Sequence, residues 1–368
     1  MSENKPSASI AENSVLAKDK RGFPYKKVFF ALLILIIVCS TILFVINLII
    51  NSYFKKVTVF DGIWSVDTEK MSSMEIYQDN RAYFMKNDKL HDVYHAALLN
   101  YAQATSDMKY DENVFNYAIF GTDQFEGSDE ESSADIIMLV SVDKKNEKVT
   151  YLTFESRTLV YIPSVGVGPM THAYMLGGPQ LLANTLEQNY GVQLDGFIEL
   201  NMSAFGNLVT AFGGVQVKGD KELVKEINGY IAEFDQAKGV SEENATEKVK
   251  LTKDVIKLNG QQALAYLRKA GDKKASLANN ILSQVTTKIY DNGISGIMST
   301  LDIALEKMMV SMVRDDVGAL ILIGVSVFDS IKTVPVGNME GREVILGGSA
   351  VTCNYQAERA AIVSALYQ

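Results

Sequence analysis

The chain has 368 residues and a formal net charge of −9 at neutral pH. Because an acidic chain is repelled by the phosphate backbone of DNA and RNA, nucleic acid is excluded as its main partner. The length suits one large domain with appended segments, since a domain takes roughly 150 residues.

An almost unbroken apolar run occupies residues 28–50. Its length matches a helix across a hydrocarbon core roughly 30 Å thick, and no small-residue cleavage pattern follows it. Basic side chains are concentrated in residues 18–27 just before the run, whereas Lys55 and Lys56 follow it. By the positive-inside rule we predict a cytoplasmic tail over residues 1–27, a single transmembrane helix in the cell membrane and an extracellular remainder.

Helical periodicity marks the next segment, residues 51–113. Apolar and aromatic side chains between Tyr94 and Tyr101 recur at i, i+3, i+4 and i+7, which is the spacing of one helix face. This pattern predicts a helical stalk or small cap, followed by a domain over residues 114–368. Runs of β-branched and aromatic residues predict the first strands of that domain. These strands are 114–121, 136–142 and 149–154.

Helix and strand signals alternate in the middle of the chain. A helix is predicted from Pro179, which suits a first helical turn, to Gly191, which is a natural stop. A strand is predicted over residues 194–200, Ser203 is predicted to cap a second helix, and another strand begins at Val215.

The alternation continues to the end of the chain. The predicted helices are 261–268, 279–291, two stretches between 294 and 328, and 358–367, and the predicted strands are 333–336 and 343–346. Residues 231–255, in which Glu, Lys, Asn and Ala cluster, are predicted to be a surface insertion. Strands that alternate with helices predict an α/β fold, a layered sandwich in which helices flank a central mixed sheet. The transmembrane helix and the stalk precede this sandwich.

Two aspartates stand at the ends of neighbouring predicted strands. Asp123 follows the first strand of the domain, and Asp135 leads the second. Carboxylate oxygens are ligands that Mg²⁺ prefers, and water or phosphate oxygens usually complete its shell. The pair therefore predicts a Mg²⁺ site. The alternative is that both residues make turns or caps, which are common roles for aspartate at strand ends.

The block from Thr171 to Val217 contains His-Ala-Tyr at 172–174 and Gly-Gly pairs at 177–178 and 213–214. In order and spacing these motifs resemble the LytR-CpsA-Psr family, and the resemblance extends from about Tyr117 to the C-terminus. Members of that family transfer phosphoglycopolymers from an undecaprenyl-pyrophosphate carrier onto the cell wall, at the outer face of bacterial membranes. The resemblance implies the same fold and the same chemistry for this chain.

The resemblance also implies roles for particular residues. Asp123 and Asp135 match the aspartates with which the family binds Mg²⁺, and both would act in catalysis. Arg268 ends an intact Ala-Leu-Ala-Tyr-Leu-Arg motif and would be a catalytic ligand of phosphate. Asp272 and Asn279 belong to the phosphate-binding segment that follows this motif.

Several arginines of the family are replaced in this chain. Ser133 and Ser156 occupy two of their positions, and Ala275 and Ala278 occupy two more. Arg157 stands one position after a family arginine, and a shift of one residue in a strand reverses the side-chain face. Arg157 is expected to replace that arginine in catalysis and phosphate binding only if a bulge or turn re-aims it. The alternative is a solvated surface arginine.

Two main functions follow from the resemblance and these replacements. The first is a membrane-anchored transferase that uses Mg²⁺, a polyprenyl (pyro)phosphate-linked glycan, and peptidoglycan or another wall acceptor. The second is a non-catalytic polyprenyl-phosphate-binding scaffold or regulator of envelope assembly, because a pyrophosphate needs several positive partners that are absent here. A third alternative is a stalked interaction module that binds no lipid.

Overall fold

A computed structural model describes the chain in ranges separated by gaps. The described residues are 40, 48, 51–52, 55, 58–60, 64–122, 133–146, 148–237, 239–269, 277, 280–281, 284–285, 287–288, 291–292, 308–311, 331–335 and 343–367. Within these ranges no helix has the length and apolar character needed to span a membrane. The predicted tail and transmembrane helix fall outside them, apart from positions 40 and 48. The chain divides into two compact units, Met1–Asn51 and Ser52–Gln368, and the second is described below.

The described strands and helices alternate along the second unit. In chain order the strands are β1 (Thr58–Val59), β2 (Val114–Thr122), β3 (Ala134–Asp143), β4 (Lys148–Phe154), β5 (Leu159–Ile162), β6 (Gly166–Pro169), β7 (Gly196–Asn201), β8 (Val215–Lys218), β9 (Leu251–Thr252), β10 (Val255–Leu258), β11 (Met308–Val310), β12 (Ile331–Pro335), β13 (Glu343–Ile345) and β14 (Ala350–Thr352). The helices are α1 (Thr68–Ser73), α2 (Glu75–Gln78), α3 (Asn80–Phe84), α4 (Asp88–Ser106), α5 (Thr171–Tyr190), α6 (Met202–Ala211), α7 (Lys221–Ala237), α8 (Gly260–Lys269) and α9 (Tyr355–Tyr367).

A mixed sheet lies at the centre of this unit. Its described strands are ordered β1-β11-β7-β2-β3-β4-β12. Strand β7 runs parallel to β2, β3 runs antiparallel to β2 and β4, and β12 runs parallel to β4. The antiparallel strands β8, β10 and β9 form a smaller sheet, while β5–β6 and β13–β14 are hairpins. The predicted α/β fold with a central mixed sheet is therefore confirmed.

Apolar cores cover both faces of the sheet. Successive side chains of a strand point to opposite faces, so Ile137 and Leu139 of β3 enter one core while Ile136 and Met138 enter the other. Helices α2–α5 and α9 pack on the first core, and α6–α8 pack on the second. Helices α2–α4 lie within residues 51–113, so part of that segment contributes to the first core.

The helix predicted from Pro179 to Gly191 extends further toward the N-terminus. Helix α5 begins at Thr171, and its backbone is non-helical at Gly177 and Gly178, immediately before Pro179. Proline is tolerated there because the first residues of a helical segment need no N–H donor. Gly191 ends the helix in a left-handed conformation with a φ of 67°, as predicted.

Two local predictions were wrong. Helix α6 is capped by Asn201, whose Oδ1 accepts a hydrogen bond from the Ala204 N–H at 2.8 Å, and not by Ser203. The predicted surface insertion at 231–255 begins inside helix α7, where Ile231 and Phe234 are buried. The charged residues of α7 obscured an apolar face with helical spacing.

The later predictions are only partly covered by the described residues. Within the predicted helix 279–291 the described positions have helical backbone. The helices predicted between 294 and 328 lie mostly outside the described residues, and strand β11 occupies part of that interval. Strands β12 and β13 and helix α9 match the predicted late strands and closing helix to within about three residues at each end.

Candidate functional site

Four strands of the central sheet end or begin along one side, which we call the strand-end edge. Parallel β2 and β7 end together, with Thr122 paired to Asn201. Strand β3 begins opposite the end of β2, with Ala134 paired to Thr122, and β4 ends beside it at Phe154. Loops that leave this edge therefore come from distant parts of the sequence, which is a common way to build a site.

The two predicted metal ligands are close in sequence to the strand ends at this edge. Asp123 directly follows Thr122 and lies outside the described residues. Asp135 has a described backbone in β3 but not a described side chain. The register shifts there, since Gly121 pairs with Ile136 and Thr122 with Ala134, so position 135 has no opposite residue in β2. Such a bulge bends a strand and re-aims a side chain, often beside an active site.

This arrangement fits the donor chemistry of Mg²⁺. Position 135 lies beside the strand end that leads into Asp123, so two carboxylates come from adjacent strand ends. A Mg²⁺ ion needs only one or two protein carboxylates, because phosphate oxygens and water fill its remaining positions. The described residues alone contain no group of three or more metal-binding side chains. The metal site therefore remains a prediction.

Arg157 lies in a turn. A turn or bulge was the condition under which its side chain could replace the family arginine one position earlier. The Thr158 N–H donates to the Glu155 carbonyl at 3.0 Å, which closes a turn around Ser156 and Arg157. The guanidinium donates through Nε to Glu155 Oε1 at 2.9 Å and through Nη1 to the Gly348 carbonyl at 3.0 Å. Its side chain is 29% exposed and that of Glu155 is 16% exposed, so the pair is not a solvated surface contact.

The family position before Arg157 lies next to the start of β3. The carbonyl of Ser156 accepts a hydrogen bond from the Thr171 N–H at 2.8 Å, and Thr171 Oγ1 donates to the Ala134 carbonyl at 3.2 Å. The guanidinium of Arg157 instead contacts the loop between β13 and β14. For Arg157 to bind a phosphate, its guanidinium would have to break its hydrogen bonds to Glu155 and Gly348 and form new ones to the phosphate oxygens.

Helix α8 carries Arg268 toward the strand-end edge. The Gly260 N–H donates to Thr210 Oγ1 at 3.0 Å, and a Cβ on Gly206 would lie 2.8 Å from Leu264 Cδ1. Gly260 at the start of α8 thus contacts Thr210 near the end of α6, and Leu264 contacts Gly206 one turn earlier in α6. The two helices therefore run antiparallel. Position 268 therefore lies beside the first turn of α6, which directly follows Asn201. The side chain of Arg268, like Asp272 and Asn279, is outside the described residues.

The first turn of α5 covers one face of the sheet next to this edge. His172 Nδ1 lies 2.9 Å from the Tyr77 hydroxyl of α2, and burial together with nearby Lys70 lowers the pKa of His172 to about 4. Tyr174 hydrogen-bonds the carboxyl of Glu199 on β7. Burial raises the pKa of Glu199, and the bond from Tyr174 opposes part of that rise.

Glu199 and Thr122 were not among the residues identified from sequence. Thr122 is fully buried at the end of β2. The available sequence signal was a glutamate inside an apolar strand, Gly-Phe-Ile-Glu-Leu-Asn. A charged side chain in such a strand is unusual unless a partner or a ligand holds it.

Several curated proteins of similar sequence are described as teichoic acid transferases. The chain is 27% identical over 177 residues to the polyisoprenyl-teichoic acid–peptidoglycan teichoic acid transferase TagU of Oceanobacillus iheyensis, covering 46% of this chain and 48% of TagU. It is 27% identical over 186 residues to TagT of Bacillus subtilis, which has the same transferase description, covering 49% of this chain and 53% of TagT. The chain thus matches about half the length of these relatives.

Solved structures of the same fold are also similar. One is the LytR-CPS2A-psr family protein YwtF (TagT) with bound octaprenyl pyrophosphate lipid, at a TM-score of 0.50 and 21% identity. The similarity covers 70% of this chain and 93% of that protein. The sequence model of the LytR_cpsA_psr family matches residues 72–317, which is well over half of the chain. The chain therefore belongs to the LytR_cpsA_psr family.

Proposed function

We propose that the chain transfers a glycopolymer from a polyprenyl-pyrophosphate carrier to peptidoglycan or another wall acceptor. The observation that carries this proposal is the strand-end edge, where β2 ends at Thr122 and β3 begins beside it with a bulge at position 135, in a chain of this family. Support comes from relatives described as teichoic acid transferases and from a relative that binds octaprenyl pyrophosphate.

The proposed chemistry is phosphoryl transfer. The acceptor hydroxyl attacks the phosphorus that carries the glycan, the phosphoanhydride bond breaks, and polyprenyl phosphate leaves. An aspartate of the strand-end edge takes the hydroxyl proton. Asp123 and Asp135 would hold Mg²⁺, which neutralises charge on the pyrophosphate when it is bound. Arg268 binds a phosphate oxygen from the end of α8.

The proposed location is the outer face of the cell membrane. Residues 28–50 anchor the chain, and residues 51–368 lie outside, where lipid-linked precursors and wall acceptors meet. Protease added to intact protoplasts should then digest the C-terminal domain. Full protection of the domain in intact protoplasts, with digestion after lysis, would contradict this orientation.

One observation favours a second function, a non-catalytic lipid-binding scaffold or regulator. Ser133 and Ser156 replace arginines of the family, and Arg157 is held by Glu155 and the Gly348 carbonyl. Loss of one preorganised charge-stabilising donor typically slows a reaction by roughly 10²–10³. The scaffold would bind the carrier lipid with little or no turnover.

Metal-dependent lipid binding tests the proposal that both functions share. Undecaprenyl pyrophosphate is titrated into the full chain in nanodiscs, with Mg²⁺ or with a chelator. Asp123→Asn and Asp135→Asn should each weaken the Mg²⁺-dependent part of binding at least tenfold, the equivalent of about 1.4 kcal/mol. Asp254→Asn is the matched control, because Asp254 is exposed in the β9–β10 turn. Binding that is absent, or indifferent to Mg²⁺ and to both variants, would refute the site.

A further inference from the structure

Eight buried side-chain atoms have no hydrogen-bond partner among the described residues, and two of these atoms lie beside the strand-end edge. Thr122 has no exposed surface, and its Oγ1 has no partner among the described residues. Glu199 Oε2 is also buried and lacks a partner there. Buried polar atoms are nearly always paired in native proteins, because an unpaired one destabilises the fold. These two exceptions therefore need an explanation.

The two groups lie on the same face of the sheet. Phe120 pairs with Glu199 and Thr122 pairs with Asn201 in parallel register. The rings of Phe120 and Phe197 are 5.8 Å apart, which shows that alternate residues of β2 and β7 share this face. Thr122 and Glu199 are thus diagonal neighbours, a distance of roughly 7 Å on a sheet, within reach of one bound group.

The surroundings define what this pair can bind. Apolar rings flank Glu199, and Tyr174 from α5 is the one titratable group of the described residues that acts on its carboxyl. Burial raises the pKa of Glu199, which favours its neutral form. A neutral carboxyl that accepts from Tyr174 can donate through its other oxygen, and Thr122 supplies a second hydroxyl donor. Two uncharged donors in an apolar setting suit an anionic oxygen.

We propose that Thr122 and Glu199 form a subsite that hydrogen-bonds a phosphate oxygen of the polyprenyl carrier. The inference rests on the proposed function, because it adds binding groups to the same strand-end edge. It also supplies hydrogen-bond donors to a site in which Ser133 and Ser156 replace two arginines of the family. In the sequence Asp123 follows the end of β2 and Asp135 lies near the start of β3, and Mg²⁺ would offset the charge of both carboxylates.

Substitution of Thr122 separates this role from a structural one. Thr122→Val keeps the side-chain shape and removes an unpaired hydroxyl, so the melting temperature of the full chain should stay the same or rise. The affinity for undecaprenyl pyrophosphate should fall about tenfold, since a hydrogen bond to a charged group is lost. The matched control is Thr150→Val, because Thr150 is 1% exposed in β4 and its Oγ1 also lacks a partner among the described residues.

Substitution of Glu199 tests whether its carboxyl donates a proton in a hydrogen bond to the phosphate. Affinity of the wild-type chain should decline as pH rises and Glu199 ionises, because the donor becomes a carboxylate. Glu199→Gln keeps an N–H donor and should bind with little additional pH dependence. Glu199→Leu should bind about tenfold more weakly than Glu199→Gln at every pH, and its deficit relative to the wild type should shrink as pH rises. Each variant is compared with the wild type on the same lipid, so titration of the phosphates themselves cancels.

The outcomes separate this subsite from the proposed function. Weakened binding in Thr122→Val and Glu199→Leu, with Thr150→Val unchanged, supports the subsite. Wild-type affinity in Thr122→Val, or the same pH profile in Glu199→Gln and wild type, overturns the subsite and leaves the proposed function standing. A wild-type chain that binds neither undecaprenyl phosphate nor undecaprenyl pyrophosphate overturns both.

Discussion

The contact between α6 and α8 determines where Arg268 lies, and Gly260 is its tightest point. A Cβ on Gly260 would overlap the carbonyl oxygen of Gly206 and would lie 2.6 Å from Thr210 Oγ1. The carbonyl belongs to the backbone of α6 and cannot rotate away. Gly260→Ala must therefore push the helices apart and move Arg268 away from the first turn of α6.

The expected loss of stability follows from two opposing effects. Overpacking of a close contact costs about 1–3 kcal/mol. Alanine also restricts the unfolded chain more than glycine does, which returns roughly 0.4–1 kcal/mol. The free energy of unfolding should thus fall by about 1–2 kcal/mol. Affinity for undecaprenyl pyrophosphate should fall as well, because Arg268 is displaced.

Urea unfolding of the full chain in detergent, followed by circular dichroism, measures this change. Gly229→Ala is the matched control, since Gly229 lies in α7 and a Cβ there would meet nothing within 4 Å. That control should gain about 0.5–1 kcal/mol from helix propensity. If Gly260→Ala is as stable as the control and binds lipid normally, the close α6–α8 contact and its role in positioning Arg268 are both wrong.

Three further predictions concern single side chains. Glu155→Ala should remove one of the two contacts that hold the Arg157 guanidinium. Pyrophosphate binding should tighten roughly two- to fivefold in calorimetry, since a competing ion pair worth about 0.5–1 kcal/mol is lost. Glu75→Ala, which breaks an exposed ion pair, should leave pyrophosphate binding unchanged. Asn201→Ala removes the cap of α6 and should lower the free energy of unfolding by about 1 kcal/mol, and an unchanged urea midpoint would exclude the cap. His172 has a pKa of about 4 in the folded chain against an ordinary 6.5, so the unfolded chain binds the proton at a higher pH than the folded chain does. The free energy of unfolding should therefore fall by up to about 1.4 kcal/mol per pH unit as the pH is lowered from 6.5 to 4. His172→Gln should remove that slope, and a slope that persists in the variant would assign it to other groups.

Local sequence patterns predicted much of the central sheet. Strands β2, β3 and β4 were found because β-branched and aromatic runs are bounded by turn residues. The end of β2 at Thr122 and the start of β3 near position 135 followed from where those runs stop. Gly191 was found because a left-handed helix end favours glycine. In each case a few adjacent residues contain the whole signal.

Features set by distant contacts could not be predicted in this way. Arg157 is directed by the carbonyl of Gly348, which is 191 residues away in the chain. Strand β11 has three residues and is defined by its pairing with β1 and β7. The placement of Thr122 and Glu199 as neighbours on one face depends on the register between β2 and β7, which a single sequence does not specify.

Turnover tests the central claim, that this chain is a transferase, most directly. Full-length chain in nanodiscs is mixed with a glycan linked to undecaprenyl pyrophosphate, peptidoglycan and Mg²⁺, and released undecaprenyl phosphate is measured together with glycan on the wall. A transferase should release both products in equal amounts, and both should be lost in Asp123→Asn and Asp135→Asn but not in Asp254→Asn. Tight lipid binding without either product would contradict the transferase and support the scaffold.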